Sequence, residues 1–182
     1  EQEGLTFIHP FDDPDVIAGQ GTVAVELVRQ ASQPLDYVFI CCGGGGLLAG
    51  MAAYLRYVWP QTRIIGVEPE DAACVQAALA QGRRVTLREV GLFTDGCAVA
   101  QMGKETFRLI RECVDEVMTV TTDEICAAVK DIFDDTRAIA EPAGALAVAG
   151  MKKFAALHGV KGCSMAATVS GANTNFDRLR YI

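Results

Sequence analysis

Short apolar runs alternate along the chain with longer segments whose apolar positions recur at helical spacing, and that alternation predicts parallel strands joined by crossover helices. Residues 37–41 form a continuous apolar run of strand length, four glycines (Gly43 to Gly46) follow, and a helix is expected from Leu47 to about Val58, stopping before Pro60. A second strand over 64–67 ends at Glu68, and the next helix, over about 72–80, is closed by Gly82. A strand over 117–120 runs into Thr121-Thr122-Asp123-Glu124, which starts a helix continuing through Ile125, Val129 and Phe133. Pro142 opens a further helix to about Leu157, and a last strand over 165–169 leads directly into Ser170-Gly171-Ala172-Asn173. Ahead of all this, Pro10 and Pro14 fix φ, so the first 15 residues read as an extended opening loop. Gly19-Gln20-Gly21 reads as a turn, with Thr22 capping a helix to about Ala31. The fold class is α/β, a parallel sheet with flanking helices, in one domain over 1–182 with no internal repeat or Gly/Ser-rich linker.

Composition narrows the functional classes. With 51% hydrophobic residues in 182, one core is affordable, yet no apolar stretch reaches the roughly 18–20 residues a spanning helix needs. No signal pattern precedes it, so a cytoplasmic chain without a membrane partner is expected, or an organellar one that has lost a transit peptide. A formal net charge of −7 argues against nucleic-acid binding, which needs clustered cations, and leaves Arg83-Arg84 and Lys152-Lys153 as solvated faces. Seven cysteines, an odd number inside apolar runs, read as buried reduced thiols. With two histidines and scattered cysteines, no metal-site spacing exists and no metal is expected.

Four glycines between a buried strand and a helix point to an anion site. Without Cβ atoms their backbone N–H groups can converge on a phosphate, and the helix N-terminus adds partial positive charge. The plainer alternative is a tight strand-to-helix turn. A rival ligand is a dinucleotide, since Gly44-Gly45-Gly46-Leu47-Leu48-Ala49 fits GxGxxA and Glu68 ends the next strand. Two further loops, Gly91 to Gly96 and Ser170 to Asn173, lie where α/β folds build sites, although Ser170 alone reads as a turn or capping hydroxyl.

A family resemblance chooses among these. Pro10-Phe11-Asp12, Ile17-Ala18-Gly19-Gln20-Gly21-Thr22, Gly43-Gly44-Gly45-Gly46-Leu47, Val67-Glu68, Gly91-Leu92-Phe93, Glu105-Thr106-Phe107-Arg108, Ala140-Glu141-Pro142, Gly150-Met151-Lys152-Lys153, Ser170-Gly171-Ala172-Asn173 and Leu179-Arg180-Tyr181 stand in one order. Together they make the chain resemble the threonine deaminases of the type II (tryptophan-synthase β-like) pyridoxal-phosphate fold, the biosynthetic kind more than serine racemases or catabolic dehydratases. The resemblance implies that the amides of Gly43, Gly44, Gly45, Gly46 and Leu47 hold the phosphate of pyridoxal 5'-phosphate and that the Ser170 hydroxyl meets the pyridine nitrogen. A serine there leaves the ring nitrogen largely neutral and favours β-elimination over fully developed carbanion chemistry. The implied reaction converts L-threonine to 2-oxobutanoate and ammonia on the route to isoleucine, with L-serine as a second substrate, in a homo-oligomeric parent.

The resemblance also marks what is missing. The family's cofactor-bearing lysine belongs to a motif upstream of everything here, and Lys104, Lys130, Lys152, Lys153 and Lys161 stand in no matching context. The chain is therefore expected to be the C-terminal portion of a catalytic domain, inactive alone, with a missing N-terminal segment as its partner and an apolar face or edge where that segment sits. Related racemases hold a cation with an acid corresponding to Glu68, a carbonyl near Ala72 and an acid that aligns with Cys74, whose thiol breaks that set. Cys41 and Cys42 replace apolar or proline residues. A non-catalytic cofactor-binding remnant and a nicotinamide dinucleotide domain are the alternatives to a lyase.

Overall fold

The computed structural model describes residues 4–182. Four parallel strands, β1 (Tyr37–Cys41), β2 (Arg63–Pro69), β3 (Glu116–Val120) and β4 (Met165–Ala167), form one sheet in the order β3-β2-β1-β4. The crossovers carry α2 (Gly46–Val58) between β1 and β2, α3 (Cys74–Gln81) and α4 (Lys104–Cys113) between β2 and β3, and α5 (Thr122–Thr136) and α6 (Pro142–His158) between β3 and β4. α1 (Pro14–Gln30) precedes the sheet.

Successive β1 side chains serve opposite faces, as a strand buried on both sides requires. Val38, Ile40 and Cys42 pack with residues of α1 and α2, while Phe39 and Cys41 pack with residues of α5 and α6. Phe39 and Phe154 meet at 5.5 Å between ring centroids, and burying each contributes about 1.5–3 kcal/mol. The layering is thus helix, sheet, helix, with a core on each face.

Three expectations need correction. Pro14 does not extend the opening loop: it occupies the first turn of α1, where no N–H is needed, and Asp13 caps the helix through the amides of Asp15 and Val16. Thr22 therefore lies inside α1 and donates its hydroxyl to the Gly19 carbonyl at 2.6 Å. Gly21 serves helix crossing with Gly50 of α2: a Cβ on Gly50 would lie 2.2 Å from the Ile17 carbonyl oxygen of α1 and one on Gly21 would lie 3.0 Å from the Gly50 carbonyl oxygen, whereas one on Gly19 would meet nothing within 4 Å. α4 has no counterpart among the expected elements. It buries Thr106 and Ile110, packs Phe107 and Leu109 against the core and covers its outer face with Arg108 paired to Glu105 and Glu112, so its polar residues outnumber an apolar stripe that is nonetheless one-sided. The last strand stops at Ala167, short of Val169. Elsewhere the termini follow their residues: Gly82 closes α3 in the left-handed conformation, and Thr121 with Glu124 forms the capping box of α5. All seven cysteines are free, four of them buried.

Candidate functional site

β1 and β4 are neighbours, but β1 connects onward to β2 on its other side, so the strand order reverses between them. In open parallel sheets a ligand crevice forms outside the carboxyl ends at such a point. The glycine loop leaves β1 there and the segment bearing Ser170 leaves β4. Between them lies a cleft of about 480 Å³, whose walls include the glycine loop, Cys41, Cys97, Glu141 and Ser170. The volume suits a small-molecule ligand.

On one wall, Gly45 takes φ 96° as the N-cap of α2, a conformation open to glycine at little cost. Among the described residues the amides of Gly43 through Leu47 donate to no protein acceptor, although Gly44, Gly45 and Gly46 are buried. Five consecutive unclaimed donors at a helix N-terminus fit the oxygens of a phosphate. Among the described residues no Lys or Arg lines the cleft, so backbone dipoles would carry the anion.

The loop is held from three sides. The Gly44 carbonyl accepts from Thr106 Oγ1 at 2.9 Å and from the Gly103 amide at 3.4 Å. Phe11 lies against Gly44 so closely that a Cβ there would come within 2.4 Å of its ring. Phe11 is placed by its neighbours: His9 Nδ1 accepts from the amides of Phe11 and Asp12, and Asp12 caps α4 by accepting from Lys104, Glu105 and Thr106. Burial raises the Asp12 carboxyl, but those three amides and His9 outweigh it and hold it below the usual carboxylate range. From below, the Cys74 thiol donates to the Gly43 carbonyl at 3.6 Å. Beside it Glu68 is fully buried and accepts from the amides of Val75 and Gln76, both at 2.8 Å. Its burial outweighs these bonds and pushes the carboxyl up to about 7. Burial likewise raises the Cys74 thiol to about 12, so it remains a neutral donor.

Across the cleft, Ser170 is exposed, and its hydroxyl lies 3.2 Å from the Cys41 thiol. Thr168 ties this end to β1: its amide donates to the Phe39 carbonyl, and its hydroxyl accepts from the Cys41 amide. The loop then rests on α6, with the Glu141 amide donating to the Gly171 carbonyl at 3.0 Å and Glu141 Oε2 accepting from the Asn173 amide at 2.8 Å. A second cavity of about 480 Å³, bordered by Val23, Leu27, Met51 and Val169, runs beside the unpaired edge of β4 and shares Ser170 with the cleft.

The expected residues Gly43 to Leu47 and Ser170 therefore line one cleft. Of the loop 91–96, only Gly96 reaches it, while Leu92 is solvent-exposed. No lysine lines it. Lys152 pairs with Asp131, Lys153 with Glu124, and Lys130 with Asp134. Among the described residues no group of three or more His, Cys, Asp and Glu could hold a metal ion. The functions of Asp12, Thr106 and Glu141 were not assigned from the residues, because each acts on a partner far along the chain. The weak signal for the last was the Glu141-Pro142 pair, a cap followed by proline in the first helical turn.

The model of the pyridoxal-phosphate dependent enzyme family matches residues 1–171. The chain belongs to that family. Its parallel sheet with flanking helices is the type II fold, and the dinucleotide-domain alternative falls with this assignment. The biosynthetic L-threonine dehydratase IlvA of Burkholderia multivorans is 54% identical over 182 residues, covering 100% of this chain and 36% of that protein. The chloroplastic biosynthetic threonine dehydratase of Arabidopsis thaliana is also 54% identical, over 100% of this chain and 31% of its own length. The structure of the processed form of threonine deaminase isoform 2 from Solanum lycopersicum superposes with a TM-score of 0.96 at 44% identity, covering 99% of this chain and 52% of that one. The chain thus spans about a third of the length of the curated relatives it matches. Among the described residues no helix is long and apolar enough to cross a membrane.

Proposed function

We propose that the chain is the C-terminal portion of the catalytic domain of a pyridoxal-phosphate-dependent L-threonine ammonia-lyase, which forms 2-oxobutanoate and ammonia. The observation that carries this is the row of five unclaimed amides facing Ser170 across a cleft at the strand-order reversal. Sequence identity of 54% to proteins named biosynthetic threonine dehydratases supplies the substrate class.

In this reading Gly43, Gly44, Gly45, Gly46 and Leu47 bind the cofactor phosphate through their amides. Phe11 and Thr106 keep those amides in place, and Ser170 presents its hydroxyl to the pyridine nitrogen. When bound, pyridoxal phosphate would supply the conjugated system that accepts electrons from the substrate's α-carbon. Because a hydroxyl is neutral, Ser170 can donate to an unprotonated ring nitrogen without forcing a proton onto it, which suits elimination of a β-hydroxyl group. The α6 end, through Glu141, fixes the height of the Ser170 loop.

The covalent lysine would come from a segment preceding this one in the parent protein. The apolar groove beside the open β4 edge supports a seat for that segment, since an unpaired edge with exposed Val23 and Val169 invites cover. The parent would act as a homo-oligomer, with L-serine as a second substrate.

The test is 2-oxobutanoate release from L-threonine with added pyridoxal phosphate, comparing this chain alone with the chain plus the upstream half of a threonine deaminase. Activity only in the mixture is expected. Activity of the chain alone would contradict the missing-lysine reading. Pyridoxal phosphate bound in the mixture without turnover would favour a cofactor-binding remnant.

A further inference from the structure

We propose that Cys41 is a positioning residue for Ser170: its thiol donates to the serine hydroxyl oxygen and thereby turns the serine O–H toward the cofactor's pyridine nitrogen. The inference rests on the reading of Ser170 given above and goes further by naming what aims it.

The thiol is well placed for this. Cys41 is the last residue of β1, 7% exposed, and its backbone is locked into the sheet through the Thr168 hydroxyl. Its sulfur reaches Ser170 Oγ at 3.2 Å, and both side chains border the same cleft. Among the described residues the Ser170 hydroxyl has no other hydrogen-bond partner. A hydroxyl on an exposed loop rotates freely unless a neighbour claims either its hydrogen or a lone pair. An unprotonated pyridine nitrogen can only accept, so Ser170 must donate to it, and the remaining role for the sulfur is to donate to Oγ. The resulting sequence, thiol to hydroxyl to ring nitrogen, runs one way, and each bond polarises the next. An aliphatic or imino residue at position 41 would leave the hydroxyl without this partner.

The experiment uses the holoenzyme that carries this chain, loaded with pyridoxal 5'-phosphate labelled with 15N in the ring. Cys41→Ala, Cys41→Ser, Cys41→Val and Ser170→Ala are compared by the ring-nitrogen chemical shift, its pH titration and the dissociation constant of the cofactor. Cys41→Ala and Cys41→Val are expected to move the 15N resonance part of the way toward its Ser170→Ala position and to weaken cofactor binding about three- to tenfold. Cys41→Ser, which keeps a donor, should restore the shift, and Cys41→Ala should add nothing in a Ser170→Ala background. A 15N resonance that responds to Ser170→Ala but is the same in Cys41→Val as in the unmodified enzyme overturns the role of Cys41 and leaves that of Ser170 standing. A resonance that ignores Ser170→Ala removes the serine reading, and this proposal with it. Unfolding temperatures of all variants separate either result from a loss of structure.

Discussion

The two walls of the cleft are built by different means. The wall we propose for the phosphate consists of backbone: buried glycine amides at the start of a 13-residue helix, with Phe11 against one face, Thr106 bonded to the Gly44 carbonyl and Cys74 bonded to the Gly43 carbonyl. The opposite wall is a side chain, Ser170, on an exposed loop that follows a three-residue strand at the sheet edge. An anion of fixed shape rewards rigid amides whose reorganisation is already complete. A hydroxyl that has only to meet one ring atom can sit on a lighter support, completed by whatever covers the β4 edge. The difference predicts that the phosphate wall dominates cofactor affinity and the serine wall tunes the ring.

The largest effect should come from Gly44→Val. Its branched side chain would have to displace Phe11, and overpacking of that kind costs about 1–3 kcal/mol before the lost phosphate contacts are counted. A drop of about a hundredfold or more in pyridoxal-phosphate affinity is expected by fluorescence titration of the holoenzyme, against about tenfold or less for Ser170→Ala. The opposite ranking would break the comparison.

The uneven construction also explains what could be read from the residues. Strand, glycine loop and helix are consecutive, so residues 37–58 state the phosphate wall in one stretch, and its position at a carboxyl end follows from the parallel topology. Its supports were not legible. Asp12 meets the start of α4 more than 90 residues away, and Pro14, which reads as part of an extended loop, instead occupies the first turn of a helix that Asp13 caps. The loop of Ser170 is a candidate from its place after the last strand, but the role of the hydroxyl comes only from the resemblance, because an isolated serine after a strand is more commonly a turn residue, and nothing local indicates that Cys41 lies beside it. Residues that act through their backbone announce themselves by composition; those that act through a distant partner do not.

A second effect sharpens the account of the phosphate wall through pH. Glu68, beneath the glycine loop, has its carboxyl raised from 4.5 to about 7, chiefly by burial. A raised folded-state value means the native state binds the proton more tightly than the unfolded chain. The associated stability is therefore fully present below about pH 4.5 and is lost as pH rises through about 7. At ~1.4 kcal/mol per pKa unit the loss is roughly 3 kcal/mol. Urea unfolding between pH 4.5 and 8 should show this decline, flattened in Glu68→Gln. An unchanged slope in the variant would mean that the amides of Val75 and Gln76 hold Glu68 ionised throughout.

The smallest of the three concerns the link between the opening segment and the phosphate wall. Asp12 satisfies three amides at the start of α4, and α4 in turn delivers Thr106 to the Gly44 carbonyl. Asp12→Ala removes the cap, a change that typically costs about 1–2 kcal/mol, read as a lower urea midpoint. Because the Asp12 carboxyl is held below its usual value, its contribution should be intact at neutral pH and disappear as pH falls below about 4. If the cap stabilises α4 alone, cofactor affinity will not change. If α4 is what keeps Thr106 on the glycine loop, affinity should fall about threefold together with stability, while the ring-nitrogen signal associated with Ser170 stays where it was. Movement of that signal would show that the two walls are mechanically coupled, contrary to the separate construction argued above.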